Sequence, residues 1–181
     1  HIAAKIRIET TYIEEIKKNI KIYLLVSILI VVLALYFIFK SWNAIIISLI
    51  IIVISNIWSL AIISISGYPV DVLTSLLPPV LSIICMSNII HFSTKYNTLL
   101  SLGTSKEDAL TMSFNELKGP TFFAALTTAV GFFTLSITDI LPIRTFGIFM
   151  GIGVLLAFVI SYLFLQSYYN ITTEPAPIQH N

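Results

Sequence analysis

The chain has 181 residues, of which 57% are hydrophobic and only 10% are charged. A soluble domain has about 25% charged residues, so this composition leaves too little polar material for a surface in water. The formal net charge of +1 and the lack of a Lys/Arg stripe with interleaved aromatic residues argue against a nucleic-acid-binding protein. The apolar residues fall in long blocks, and about 20 of them in a helix cross a bilayer core. The composition therefore predicts an integral membrane protein.

The first 21 residues are more charged than the blocks that follow. Ile13, Ile16 and Ile20 recur at helical spacing within this segment. We interpret residues 1–21 as the end of an extracytoplasmic domain with an amphipathic approach helix. Because the chain does not begin with Met, we also expect it to be a fragment of a longer protein.

Five apolar blocks follow, each long enough to cross a membrane. Helices are favoured over a β-barrel, because the blocks lack the alternation of apolar and polar residues that barrel strands show. The predicted fold class is an all-α membrane protein, a bundle of about five transmembrane helices. The expected spans are residues 22–39, 44–66, 72–93, 121–138 and 145–166, within a transmembrane domain of residues 22–167 that precedes a polar tail, residues 168–181.

One substantial polar loop, residues 97–119, contains the signals of a short helix. Ser105 suits an N-cap position, and acidic residues follow it in the first turn. A partly apolar face favours a helix that lies along the membrane surface, and Gly119 and Pro120 are expected to end it. The sequence thus predicts one short interfacial helix in addition to the spans.

Lysine and arginine residues set the expected orientation. Loops on one side of the spans hold Lys40, Lys95, Lys106 and Lys118, whereas those on the other side hold only Arg144. The positive-inside rule places the lysine-rich side in the cytoplasm. The N-terminal segment, which is itself basic, then lies outside. This orientation requires that segment to belong to a large translocated domain, because the rule discounts such domains.

Two groups of residues predict local helix geometry. Pro78 and Pro79 lie inside the third expected span and should kink or loosen it, because proline lacks a backbone donor and clashes with the preceding turn. Small residues in the fourth and fifth spans predict close helix packing, including a GxxxG spacing. These are Thr127, Thr128, Gly131, Gly147, Gly151 and Gly153.

Polar residues inside a membrane span are costly and are candidates for function. The third span offers Ser87, Asn88 and His91, whose spacing predicts one shared helix face. They are a candidate polar path for a proton or a substrate. The alternative is structural: Asn88 forms an interhelical hydrogen bond and His91 reaches the lipid headgroups.

The chain lacks the motifs of soluble enzymes. It has no Walker-type phosphate loop, no HExxH and no GxSxG. Cys85 is the single cysteine and the three histidines are dispersed, so no metal site is expected. The sequence predicts no enzyme activity, no cofactor and no bound metal.

Two stretches carry a family resemblance. One runs from Gly67 to Pro79 (GYPVDVLTSLLPP) and on to Asn88-Ile-Ile-His91; the other runs from Gly119 through a Thr-Thr-x-x-Gly-Phe pattern to Gly153. Both resemble the resistance-nodulation-division (RND) transporter superfamily, particularly its MMPL-like exporters. The same five-helix unit is called the sterol-sensing domain in related eukaryotic proteins. The resemblance covers nearly the whole chain.

The resemblance implies a missing first helix, a missing extracytoplasmic domain and a second half, or another copy, of the membrane domain as partner. It also implies export of lipid-like or amphiphilic substrates, driven by an ion gradient, from the cell membrane, such as a bacterial inner membrane. Proton-coupled members carry an acidic residue in the fourth helix, in the region of Asn88 here. Since asparagine does not titrate, proton coupling then needs another group, in the missing half or at His91.

Two other functions stay open on the sequence. A sterol-sensing-like module binds lipid and regulates partners without transport. A purely structural membrane subunit would explain the shortage of ionisable groups within the spans.

Overall fold

A computed structural model describes residues 18, 21–23, 25–37, 42–68 and 71–171. Within these ranges the chain is all-α, as the sequence predicts, and contains no strand. The predicted approach helix before residue 18 and the tail after residue 171 lie outside the described residues. The helices are α1 (Lys21–Phe37), α2 (Trp42–Ile65), α3 (Leu77–Ser101), α4 (Lys106–Thr134) and α5 (Leu141–Ile171).

Four of these helices, α2 to α5, are long and apolar enough to cross a membrane, while α1 is apolar but shorter over the described part of the chain. All four extend beyond the expected spans on at least one side, and α2 does so only at its start, which is Trp42 where residue 44 was expected. α3 continues past residue 93 to Ser101, and α5 covers Leu141–Ile171 where the expected span was 145–166. The apolar blocks of the sequence therefore coincide with helices, and these helices continue into flanking polar residues.

The proline pair lies at the start of α3 and not within it. A 3-10 turn over Thr74–Leu76 precedes the helix, and Pro78 and Pro79 occupy its first turn. The first N–H groups of a helix have no intrahelical acceptor, so the missing proline donors cost little there. The kink expected inside the third span is thus replaced by a change from 3-10 to α-helix at its start.

Asp71 begins that 3-10 turn through a reciprocal pair of hydrogen bonds. The backbone N–H of Thr74 donates to Asp71 Oδ1 at 2.8 Å, and the backbone N–H of Asp71 donates to Thr74 Oγ1 at 2.8 Å. Two donors that would otherwise lack partners are satisfied in this way. Asp71 therefore has a structural role in the turn that precedes α3.

The predicted surface helix is not a separate element. α4 runs without interruption over Lys106–Thr134, with Pro120 inside it, so the predicted end at Gly119 and Pro120 is wrong. Ser105 is the N-cap, as expected, since the Asp108 backbone N–H donates to its Oγ at 3.2 Å. Transmembrane helices tolerate proline where other groups satisfy the carbonyl that loses its N–H partner. The part of α4 next to Pro120 still carries charged side chains, namely Glu116 and Lys118.

α5 is the central helix and packs against α2, α3 and α4. Its glycines make the closest contacts: a Cβ added to Gly147 would lie 2.6 Å from the Phe132 carbonyl oxygen. A Cβ added to Gly151 would lie 2.6 Å from the Phe133 ring. At Gly153 the nearest atoms belong to Leu81, at 3.0 Å. These three glycines let α5 approach α3 and α4 more closely than any larger residue permits.

Close packing is not found at the small residues of α4. Thr127, Thr128 and Gly131 are exposed, and a Cβ at Gly131 would meet nothing within 4 Å in the described structure. Each threonine hydroxyl donates to the Ala124 carbonyl of its own helix, at 3.0 and 2.8 Å. Only 11% of the apolar window of α4 is buried, so the described helices leave this face uncovered.

Gly147 and Gly131 form a matched pair for a test of this packing. We expect Gly147→Ala to lower the thermal stability of the detergent-solubilised full-length protein, by about 1–3 kcal/mol, because the new methyl group clashes with backbone. Gly131→Ala should leave stability unchanged or raise it, since alanine is the better helix former by about 1 kcal/mol. Equal melting temperatures for the Gly147 variant and the wild type would contradict the close contact of α4 with α5.

Candidate functional site

The three polar residues predicted to share one face of α3 are divided by the structure. Asn88 is buried, with 8% of its surface exposed, whereas Ser87 and His91 are exposed. Successive residues of a helix differ by about 100°, so Ser87 and His91, four apart, stay on one side while Asn88 turns inward. The predicted shared face is therefore wrong for Asn88.

Ser87 and His91 belong to a longer polar row on the outside of α3. Thr94 and Thr98 follow at helical spacing, and both are exposed. The residue one turn before Ser87 is Ile83, which is apolar and 56% exposed. The two threonines are not recognisable as a site from the sequence, because threonine near the end of a span carries little signal by itself.

The Asn88 side chain has an unused donor. Its Nδ2 atom is buried and has no hydrogen-bond partner. The amide nitrogen of Asn56 on α2 is paired by contrast, since its Nδ2 donates to the Ile52 carbonyl at 2.9 Å and to Ser82 Oγ at 3.1 Å, although its Oδ1 has no partner in the described structure. Most buried polar groups have partners, so an amide nitrogen without one marks a place where another molecule or chain can bind.

Beyond Asn88, direct side-chain hydrogen bonds hold α5 against α3 and α4. Tyr169 Oη donates to Ser93 Oγ at 2.9 Å, and this contact joins α5 to α3. Tyr162 Oη donates to Thr121 Oγ1 at 2.8 Å, and this contact joins α5 to α4. Phe92 stacks on Tyr169 with ring centroids 5.9 Å apart. An aromatic layer thus holds three helices together one turn beyond Asn88.

Charged groups tie the same end of the bundle. Lys95 of α3 forms an ion pair with Glu116 of α4. Lys106 Nζ, at the start of α4, donates to the Asn170 carbonyl near the end of α5 at 3.0 Å. A cation near the last carbonyls of a helix also interacts favourably with the helix dipole. An ion pair and a hydrogen bond therefore join the helices at this end of the bundle, beyond Asn88.

Two small cavities lie where α1 meets the rest of the bundle. The larger, about 130 Å³, is mostly apolar and includes Pro79 and Ile83 of α3 in its lining. The other, about 90 Å³, lies between α1, α2 and α3, and its polar side chains are Asn56 and Ser82. Both cavities are separate from the outward polar row.

Comparison with models of known protein families finds a match over most of the chain. The MMPL family model matches residues 8–168. This chain belongs to the MMPL family. Its members are RND-type membrane transporters, so the chain is a multi-pass membrane segment of that type, whose apolar helices contact the lipid bilayer. Comparisons with curated proteins and with solved structures found no match.

The MMPL segment shows no obvious metal centre in the residues that the structure describes. None of its His, Cys, Asp and Glu side chains there form a group of three or more that could hold a metal ion. The buried polar side chains of Ser, Thr and Asn in that part of the chain are hydroxyls and amides, which bind ligands through hydrogen bonds.

Asn88 and Asn56 provide a test of the unpaired amide. We expect Asn88→Leu to leave the thermal stability of the full-length protein unchanged or to raise it, because leucine removes a buried donor that has no partner. Asn56→Leu loses the interhelical bond to Ser82 and should lower stability, by roughly 0.6 kcal/mol. A larger loss of melting temperature for the Asn88 variant than for the Asn56 variant would show that Asn88 is a structural residue.

Proposed function

We propose that this MMPL segment belongs to a transporter that exports lipid-like or amphiphilic substrates and is driven by an ion gradient. The observation that carries the proposal is the arrangement of α3, where a buried amide without a partner lies next to an exposed polar row. Polar groups within a span are costly, so they are retained where a path or a binding event uses them.

Asn88 and His91 have different roles in the proposal. An asparagine donates and accepts hydrogen bonds but does not exchange a proton, so Asn88 positions a substrate or a partner group. His91 is the titratable side chain of the outward row. Coupling to a proton gradient therefore uses His91 or an acid in the second half of the membrane domain.

A second half of the membrane domain, or another copy of it, covers the outward face of α3 in the proposed assembly. Ser87, His91, Thr94 and Thr98 are exposed within the described residues, and lipid chains offer such groups no hydrogen bonds. The outward polar row of α3 therefore suits contact with protein better than contact with lipid.

The proposed location is the cell membrane, such as a bacterial inner membrane, with the α3–α4 turn in the cytoplasm. Lys95, Lys106 and Lys118 cluster near this turn, and the positive-inside rule supports that orientation. The Lys95–Glu116 ion pair and the contact of Lys106 with Asn170 suit an end that meets water and headgroups.

The second candidate is a sterol-sensing-like module that binds lipid and regulates partners without transport. The two cavities beside α1 favour it, because they are mostly apolar and one of them has a single asparagine and a single serine as its polar groups. At about 130 and 90 Å³, however, each cavity is smaller than the roughly 300–1,000 Å³ of most ligand pockets, so each holds at most part of a lipid molecule.

Efflux from proteoliposomes that contain the full-length protein tests the proposed path. We expect the combined Ser87→Ala, Asn88→Leu and His91→Ala variant to export a fluorescent amphiphile about tenfold more slowly, or worse, which corresponds to about 1.4 kcal/mol in the barrier. The control is Thr127→Ala with Thr128→Ala, since both hydroxyls bond only their own helix.

Two outcomes would overturn the proposal. Unchanged efflux by the triple variant would exclude the polar path. Saturable binding of a lipid probe by the wild type, together with no flux under an imposed proton or sodium gradient, would instead support the lipid-binding module.

A further inference from the structure

A polar groove lies between the first turns of α4 and the last turns of α5. Its volume is about 480 Å³, which falls within the roughly 300–1,000 Å³ of most ligand pockets. Leu110 is buried and Phe114 is half-buried, so these two side chains form the floor of the groove. Five polar side chains complete its lining. The groove is therefore large enough for the polar part of a ligand, unlike the two small cavities beside α1.

The polar side chains stand in two rows, one on each helix. Glu107, Thr111 and Asn115 recur at every fourth residue of α4, and Gln166 and Asn170 are four residues apart on α5. Residues at this spacing share one face of a helix. All five are exposed. The groove thus presents one carboxylate, one hydroxyl and three amides to a molecule that enters it.

Several of these groups are available to a ligand. The side chains of Glu107, Thr111 and Gln166 have no hydrogen-bond partner in the part of the chain that the structure describes. Thr111 differs in this respect from Thr127 and Thr128 of the same helix, whose hydroxyls donate to carbonyls four residues earlier, at 3.0 and 2.8 Å. A ligand in the groove therefore meets hydrogen-bonding groups that the protein itself leaves unused.

The charges at the groove define the kind of ligand that fits. Within the described ranges the Glu107 carboxylate has no ion-pair partner, whereas Glu116 pairs with Lys95. Lys106 Nζ donates to the Asn170 backbone carbonyl at 3.0 Å, so a cation lies at the same end of the groove. A neutral ligand would leave both charges without a counter-charge, and a simple cation would be repelled by Lys106. A zwitterion, which carries one charge of each sign, complements both.

The surface next to the groove, toward the middle of the two helices, is apolar. Leu163 lies one turn before Gln166 on α5 and is 60% exposed. Phe122 of α4 is 42% exposed, and its ring contacts that of Phe158 on α5 with centroids 5.7 Å apart. Exposed apolar side chains of this kind suit contact with acyl chains, while the amides and charges suit a headgroup. This arrangement favours a lipid over a soluble ligand.

We propose that the groove binds the zwitterionic headgroup of an aminophospholipid of the phosphatidylethanolamine type. The primary ammonium group has three donors, which bind the Glu107 carboxylate and the side-chain oxygens of Thr111 and Gln166. The phosphate lies beside Lys106, since a lysine ammonium binds phosphate as a point charge. The lipid is a ligand that joins α4 to α5 and not the exported substrate, so the site is independent of the transport proposal.

Native mass spectrometry of the full-length protein in detergent measures this binding. The protein is titrated with phosphatidylethanolamine and, separately, with phosphatidylcholine that has the same acyl chains. Both lipids carry the phosphate and one positive charge, but the quaternary ammonium of phosphatidylcholine has no N–H donor. We expect phosphatidylethanolamine to bind about tenfold more tightly, because phosphatidylcholine loses the hydrogen bonds to the carboxylate and its neighbours.

Two variants test the role of the carboxylate. Glu107→Gln should remove most of the preference for phosphatidylethanolamine, because the ammonium loses its counter-charge. Asp108→Asn is the matched control and should keep the preference. It removes one negative charge from the adjacent residue, but the Asp108 carboxylate is outside the lining of the groove and accepts a hydrogen bond from Ser105 Oγ at 2.7 Å.

Equal affinity of the wild type for the two lipids would overturn the inference, and so would an unchanged preference in the Glu107 variant. Soluble phosphoethanolamine, added as a competitor, distinguishes a lipid from a free ligand. We expect it to displace the lipid only at a much higher concentration, since it lacks acyl chains; displacement at an equal concentration would contradict a lipid site. If the Glu107 variant does not fold, the comparison of the two lipids in the wild type still decides.

Discussion

The close approach of α5 to its neighbours is the constraint on which the rest of the bundle depends. In a membrane, helices gain little from hiding apolar surface from each other, so contact between backbones and good packing must hold them together. Gly147 brings α5 against the backbone of α4, and Gly153 brings it against Leu81 of α3. Once α5 is set at this depth, Tyr162 and Tyr169 reach their partners on α4 and α3. The polar side chains of α3 then point either into the bundle, as Asn88 does, or away from it, as Ser87 and His91 do.

The sequence predicts the features that depend on neighbouring residues and fails for those that depend on how the helices pack. Long apolar blocks locate the spans because hydropathy is a property of each block alone. Ser105 is correctly predicted as an N-cap because capping depends on a few adjacent residues. Pro120 is misjudged because proline is tolerated when its surroundings satisfy the freed carbonyl, and a sequence does not show those surroundings. Gly131 makes no close contact among the described helices, and the sequence does not reveal this, because small residues permit contact without showing which partner provides it.

The candidate site shows the same limit on a finer scale. The sequence identifies Ser87, Asn88 and His91 as unusual, and it cannot decide which of them points inward without knowing the rotation of α3. Membership of the MMPL family agrees with the motifs of α3 and α4 but does not add these details.

The continuity of α4 has a mechanical consequence. A helix of 29 residues is about 44 Å long, whereas the hydrocarbon core of a bilayer is about 30 Å thick. The excess must tilt the helix or project from the membrane, and the charged residues around Lys106 and Glu116 favour projection. The projecting part and the part that packs on α5 belong to one continuous helix, which runs through Pro120. The orientation of the projecting part is therefore tied to the packing of the same helix on α5.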